Sequence, residues 1–506
     1  MLYDIKGVLF ISRGFINCNV IPVKNRSERY HGFMIKEGKI RHVDDFDRIM
    51  GEADEKIDLG GFFVLPGFID SHTHLVEEGL KMDRVDLLEG ETLEEIKYYL
   101  KKKADDTPEG EWVVGFNFDE SSWKTMDYPT KEDLDDVSEK HPIVIKRICG
   151  HVAVANSQAL EMIGEDWKRV NREKGLLREE VVWNLDDIMS ISKEEKKEAL
   201  KKAIQKVHSN GITSVHDVVD RSDWEAYKEL DEEEDLELRV NCYLHYDESE
   251  GMAPTEVSDF LSLKGLKMYA DGSIGARTAA LHEEYSDDPN NRGLLLLSRK
   301  EMEEIIEDAE GRDFQLMTHA IGDRAISTVL DAFENASERC EELRHRMEHA
   351  EMLWEDSIKR IRDLGMVLST QPNYAYKWSN SRDMNEKRLG KERLEKCNPY
   401  WDIQRALIDM AFGSDNIVLS PLFNIHYAIN HPILNQRIST YNALNSYIYT
   451  GAYASRSEER YGSFEEGKLA DFVVLTENPL EAEDVRDIDV KMTVVGGDIV
   501  YDDREE

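Results

Sequence analysis

Two histidines separated by one residue close a short apolar run, Leu65-Pro66-Gly67-Phe68-Ile69-Asp70-Ser71-His72-Thr73-His74. Such a run reads as a strand, and side chains i and i+2 of a strand share a face, so both imidazoles point at one place. Imidazole suits zinc and neighbouring divalent metals. Similar chemistry recurs at the ends of later apolar runs. Lys267 lies in Gly265-Leu266-Lys267-Met268-Tyr269, His319 closes the run from Phe314, His349 closes Arg346-Met347-Glu348-His349, and Asp415 closes Met410-Ala411-Phe412-Gly413-Ser414-Asp415. A single His or Asp at a strand end is more often a packed or capping residue. Four histidines and an aspartate at the same end of successive strands point instead to a metal site that activates water. There is no Gly-x-Ser-x-Gly elbow, so nothing here calls for a serine nucleophile.

The elements that must position these residues alternate helix with strand. Ser192-x-x-Glu195 and Ser298-x-x-Glu301 are capping boxes opening charged helices, and each helix is followed by an apolar run, Ile212 to His216 and Phe314 to His319. Trp354 to Leu364 reads as a third helix before Met366 to Ser369. Repeated units of this kind predict a parallel sheet, and enough of them close into a barrel, whose active sites lie at the C-terminal strand ends. Ten strand candidates lie near 64–70, 112–118, 143–148, 212–217, 238–245, 265–270, 314–319, 345–349, 366–370 and 410–414. Two must fall outside the barrel, and 112–118 and 238–245 are the expected outsiders. Short β-branched runs at both ends of the chain, such as Phe33 to Ile35 and Phe472 to Leu475, predict one small β-domain built from both termini.

Composition narrows the partners. The formal charge of −40, from 64 basic and 104 acidic side chains, disfavours nucleic acid and anionic membrane. That excess acid reads as solubility or a salty cytoplasm and says nothing of the site. Five cysteines, none forming a CxxC pair, argue against a disulfide scaffold or a cysteine zinc site. With no leader-like start and no long apolar stretch, the chain is expected to be soluble and cytoplasmic. A small-molecule substrate is expected, and a homodimer is left open.

His72-x-His74, Lys267, His319, His349 and Asp415 match, in order, the metal-ligand set of the amidohydrolase superfamily. The segments Gly115 to Asp119, Gly150 to Ser157 and Asp271 to Ala280 resemble the branch that includes N-substituted formamide deformylases. Gly467 to Leu475 is similar to the superfamily's returning β-sandwich segment. The resemblance implies an α/β fold: a (β/α)8 TIM barrel over 66–425 with insertions, and a small β-sandwich from 1–65 and 426–506, the latter with a closing helix. It further implies that Lys267 is carboxylated by CO2 and bridges two zinc ions. His72, His74 and Asp415 would hold one ion, and His319 and His349 the other. Zinc-activated hydroxide would then cut a C–N, non-peptide, amide-like bond, with Asp415 as the catalytic proton shuttle. Two rivals remain. A one-metal deaminase of the same superfamily usually has Glu three residues after the strand-five histidine, where this chain has Gly322. An inactive regulatory relative need not keep all six ligand-type residues. Cys149, before Gly150-His151, and the acidic run Asp231 to Asp235 depart from the pattern.

Other residues carry weaker expectations. Glu348, adjacent to His349 on a strand, is expected to point the other way and to serve in support. His216 and Asp217 could reach the site or be structural. His151 is expected to contact substrate, Trp123, Phe116 and Phe118 to form an apolar wall, and Arg277 and Gln371 to bind a polar substrate group.

Overall fold

The computed structural model describes residues 11–504 apart from 25–28, 121–122, 124–126, 149, 151, 166, 168, 179 and 375–383. Its central sheet has eight parallel strands: β1 (Phe68–Thr73), β2 (Ile212–Val219), β3 (Arg239–His245), β4 (Leu261–Tyr269), β5 (Gln315–Ala320), β6 (Arg346–His349), β7 (Val367–Thr370) and β8 (Met410–Phe412). After β8 the chain returns to β1. The Asp415 amide donates to the His72 carbonyl at 2.9 Å and the Ser414 amide to the Asp70 carboxylate at 2.9 Å. Gly413 permits this approach, because a Cβ there would lie 2.6 Å from the His72 nitrogen. This is the barrel that the helix–strand alternation implied. All eight residues of β2 are buried, as a strand covered on both faces requires. The expected helices form as Lys193–Ser209, Arg299–Gly311 and Glu355–Leu364, with the capping hydrogen bonds at Ser192 and Ser298 in place.

Of the two strands expected to lie outside the barrel, one does and one does not. Val113–Phe118 is outside, but its companion is Ile143–Arg147, and Arg239–His245 is a full member of the barrel. That strand carries two polar side chains, Arg239 and Asn241. Both are buried and paired: Arg239 with the Asp471 carboxylate, Asn241 with Ser214 and Tyr461. The span 66–425, expected as a barrel with insertions, contains a large one. Residues 76–202 form a compact unit of their own, while 1–75 and 203–506 form the other. The smaller unit has a six-stranded sheet in the order Val170–Asn171, Leu176–Arg178, Val152–Ala155, Ile143–Arg147, Val113–Phe118 and Val85–Asp86. Its core includes Leu87, Ile96, Leu100, Phe118, Trp123 and Ile145.

Strands from the two chain ends share one sheet, as expected. Phe63–Pro66 pairs on one side with Arg13–Val20 and on the other with Phe472–Leu475. The far edge, Lys39–Val43, comes back to the segment before Phe472 through a Lys39–Leu469 bridge. The enclosed core is aromatic: the Phe15 and Phe33 rings stack at 4.8 Å, and Phe464 and Phe472 meet Phe33 edge-on. Among the described residues, the four cysteines are buried free thiols, and no helix is long and apolar enough to cross a membrane.

Candidate metal centre

Five strand ends deliver the six residues of the site. His72 closes the interior face of β1 and is 1% exposed, while His74, one step past the strand, is 29% exposed at its side chain. The chain turns back after β8 to bring Asp415 against both: its Oδ1 lies 3.7 Å from His72 Nε2 and 3.3 Å from His74 Nε2. Lys267, buried on β4, places Nζ 3.5 Å from His72 Nε2. The His349 ring centre lies 5.0 Å from that of His72 and 4.5 Å from that of His319. One ligand atom each from His72, His349 and Asp415 fall within 4.8 Å of one another, close enough to share a cation.

The orientation of the rings fits metal binding. His72 Nδ1–H donates to Glu348 Oε2 at 2.6 Å, and His349 Nδ1–H donates to Gln371 Oε1 at 2.8 Å. Both rings therefore keep Nε2 as a lone pair, the arrangement in which a second group fixes a histidine ligand's tautomer. His319 uses Nε2–H on the Gly272 carbonyl at 3.1 Å, which leaves Nδ1 as its acceptor. Burial pushes the His72 pKa down to about 4, with Lys267 adding to it, and the His349 pKa down to about 3, with His72 adding. Neutral imidazoles at neutral pH are the form a metal needs. Burial alone would raise the Asp415 carboxyl, but His72 and the hydrogen bond to His74 hold it well below its usual range. Burial lowers the Lys267 ammonium to about 8, against the pull of Glu348 and Asp415. An amine so placed is neutral far more often than a surface lysine.

Backbone strain accompanies this convergence. His349, Ala350, Asp415 and Asn416 all have positive φ, at 66°, 49°, 48° and 54°. Such conformations cost about 1–3 kcal/mol each in non-glycine residues. They also explain why Glu348 does not point away from the site. The chain leaves the extended conformation at His349, so two successive side chains both turn into the barrel. Glu348 reaches His72, and His349 turns toward His72 and His319.

The remaining expected residues are scattered. Gln371 is buried behind His349 and holds its ring. Arg277 pairs with Asp287 at 3.0 Å, a carboxylate that Arg388 also binds. His216 Nδ1 accepts from Arg346 at 2.8 Å, and Asp217 accepts from Thr73, Leu75 and Tyr227, so both brace the barrel. Trp123 is 5% exposed in the core of the 76–202 unit and donates its indole N–H to Gly90 at 3.1 Å. Phe118 packs in that same core, and Phe116 is half-buried on the same strand. His151 and Cys149 lie outside the described residues. The run Asp231 to Asp235 is the end of helix Arg221–Glu232 and the hydrogen-bonded turn that follows it.

Sequence reasoning missed three residues. Tyr269 lies two positions after Lys267 on the same strand, with Lys267 Nζ 5.0 Å above its ring and His319 5.7 Å away, and strand periodicity could have found it. His245, stacked on Tyr269 at 5.7 Å, ends a strand that looked peripheral. Tyr374, stacked on His349 and donating its hydroxyl to Asp415 Oδ2, lies in a helical turn just after β7 that carries no periodic signal.

A parallel barrel whose C-terminal mouth gathers four histidines, a buried lysine and an aspartate is the architecture of a metal-dependent hydrolase. The chain belongs to the amidohydrolase family, whose model matches residues 55–501. It is 25% identical to the N-substituted formamide deformylase of Arthrobacter pascens, over 96% of this chain and 98% of that protein. It is 29% identical to protein LONG AFTER FAR-RED 3 of Arabidopsis thaliana, over 92% of this chain and 88% of that protein. In structure it is similar to an uncharacterized metal-dependent hydrolase from Pyrococcus furiosus. There the TM-score is 0.81 at 29% identity, covering 93% of this chain and all of that one.

Proposed function

We propose that this hydrolase cleaves a C–N bond other than a peptide bond in a small amide-like molecule, with zinc as its metal. The observation that carries the reading is the cluster of His72, His349 and Asp415 ligand atoms within 4.8 Å, with Lys267, His74 and His319 around it. His72, His74 and Asp415 would hold one cation, His319 and His349 a second, and Lys267 would lie between them. Cations held there supply Lewis acidity, polarising the substrate carbonyl and acidifying water at neutral pH.

The chain's own groups do the rest. Lys267 Nζ, neutral above about pH 8, adds to CO2: an N–C bond forms, a proton leaves, and a cationic side chain becomes an anionic oxygen ligand. Asp415, with one oxygen held by the Tyr374 hydroxyl and the other facing the histidines, takes the proton from the attacking water and delivers it to the departing nitrogen. Tyr269, His245 and Tyr374 wall the site with aromatic faces. The similarity to an N-substituted formamide deformylase favours N-formyl and N-acyl amines as the first substrates to test.

Metal analysis of purified protein, followed by a hydrolysis screen of N-formyl and N-acyl amines, tests the reading. Two zinc equivalents per chain and turnover lost in Lys267→Ala are expected. One equivalent with ammonia released from an aminated heterocycle would replace it with the deaminase reading. No bound metal and no hydrolysis would favour a regulatory protein.

A further inference from the structure

The barrel interior behind His72 holds an ion pair whose arginine has no part in the chemistry above. Arg346 and Glu348, two residues apart on β6, are both 0% exposed. All five N–H groups of Arg346 are satisfied. Nε donates to Glu348 Oε1 at 2.9 Å and Nη2 to Glu348 Oε2 at 3.0 Å. Nη2 also donates to the Ser71 carbonyl at 2.7 Å, and Nη1 donates to His216 Nδ1 at 2.8 Å and Tyr243 Oη at 3.3 Å. One guanidinium thus ties β1, β2, β3 and β6 together. Burying two opposite charges is a poor route to stability, since well-packed apolar residues of similar volume serve as well or better. The pair therefore invites another account.

Glu348 Oε2 supplies it, because the same oxygen accepts the His72 Nδ1–H at 2.6 Å. Arg346 donates to both oxygens of the Glu348 carboxylate, so that carboxylate meets His72 as an acceptor. His72 is thereby confined to the tautomer with its proton on Nδ1 and its lone pair on Nε2, facing Lys267 and Asp415. The Arg346 bond to Ser71 fixes the strand one residue before His72.

We propose that Arg346 and Glu348 are positioning residues that build the metal site before metal arrives. Glu348 sets the tautomer and direction of His72, and Arg346 sets Glu348. The inference rests on the metal reading of the site, but its test separates the two. Zinc affinity is measured by chelator competition on full-length protein, with circular dichroism and a melt for each variant. Glu348→Gln leaves His72 an acceptor but removes the charge. The double variant Arg346→Met/Glu348→Leu replaces the pair with apolar volume and restores packing. Both are expected to fold and to bind zinc about 10–100-fold more weakly than wild type. The cobalt-substituted visible spectrum should change as well, a readout that loss of stability alone would not move. Wild-type affinity in either folded variant overturns the proposal. Independently of any variant, long-range ¹H–¹⁵N correlation spectra of the metal-free, histidine-labelled protein read the tautomer. His72 protonated at Nδ1 supports the proposal, and His72 protonated at Nε2 overturns it. A wild-type protein that binds no zinc defeats the metal reading itself.

Discussion

Asp471 belongs to the C-terminal segment Gly467 to Leu475 that resembles the amidohydrolase superfamily, yet it lies at the opposite end of the barrel from His72. Its carboxylate takes Arg239, the first residue of β3, in a two-point pair, Oδ2 to Nε at 2.5 Å and Oδ1 to Nη2 at 2.9 Å. Both side chains are 3% exposed. Oδ1 also accepts the Gly496 amide at 2.7 Å. Removing the carboxylate in Asp471→Ala strands a buried guanidinium, which costs about 3–5 kcal/mol. It also orphans one backbone N–H, at about 1 kcal/mol more. At roughly 2.1 cal/mol/K per residue, a folding unit of several hundred residues loses about 5–7 °C in Tm for that change. Differential scanning calorimetry measures it. In Arg239→Met/Asp471→Leu no charge is left buried, so most of the loss should return, short of the Gly496 contribution. Because the pair lies at the N-terminal strand ends, zinc content should not change. A melt of Asp471→Ala within about 1 °C of wild type would refute this account of the motif.

Three further outcomes are expected. Asp415→Asn, nearly the same shape, should lower kcat/KM on any substrate from the hydrolysis screen by about 10²–10⁴-fold, and near-normal turnover would remove Asp415 from proton transfer. Gly413→Ala forces a Cβ to within 2.7 Å of His72 Cβ, so zinc affinity should fall while the secondary structure by circular dichroism is kept. Unchanged affinity would mean β8 can move away from β1 freely. Burial lowers His208 and His431 from 6.5 to about 4 each, so the unfolded chain binds protons that the folded chain refuses between those values. Stability from these two groups is full above about pH 6.5 and is lost as pH falls toward 4. A His208→Gln/His431→Gln variant should show a flatter fall in Tm from pH 7 to 4.5, and an unaltered slope would contradict it.

The local sequence determined a good deal. Alternating capping boxes and apolar runs specified a parallel barrel, because those signals act within a few residues. Spacing put His72 and His74 on one side, and strand-end positions marked Lys267, His319, His349 and Asp415, because in a parallel barrel every such end opens on the same mouth. What tertiary structure decided was pairing and direction. Ile143–Arg147 and Arg239–His245 look alike as runs, and only their neighbours assign one to the second sheet and the other to the barrel. Glu348 faces His72 because the backbone leaves the extended form at His349, a local exception to strand alternation that no pattern announces. Gln371 was legible as a polar group near a strand end, but which partner it holds depended on the position of a histidine 22 residues away in sequence. Periodicity says which side of its own element a residue occupies. Contact between elements is set by packing over the whole chain, and that is where each ligand acquires its orientation.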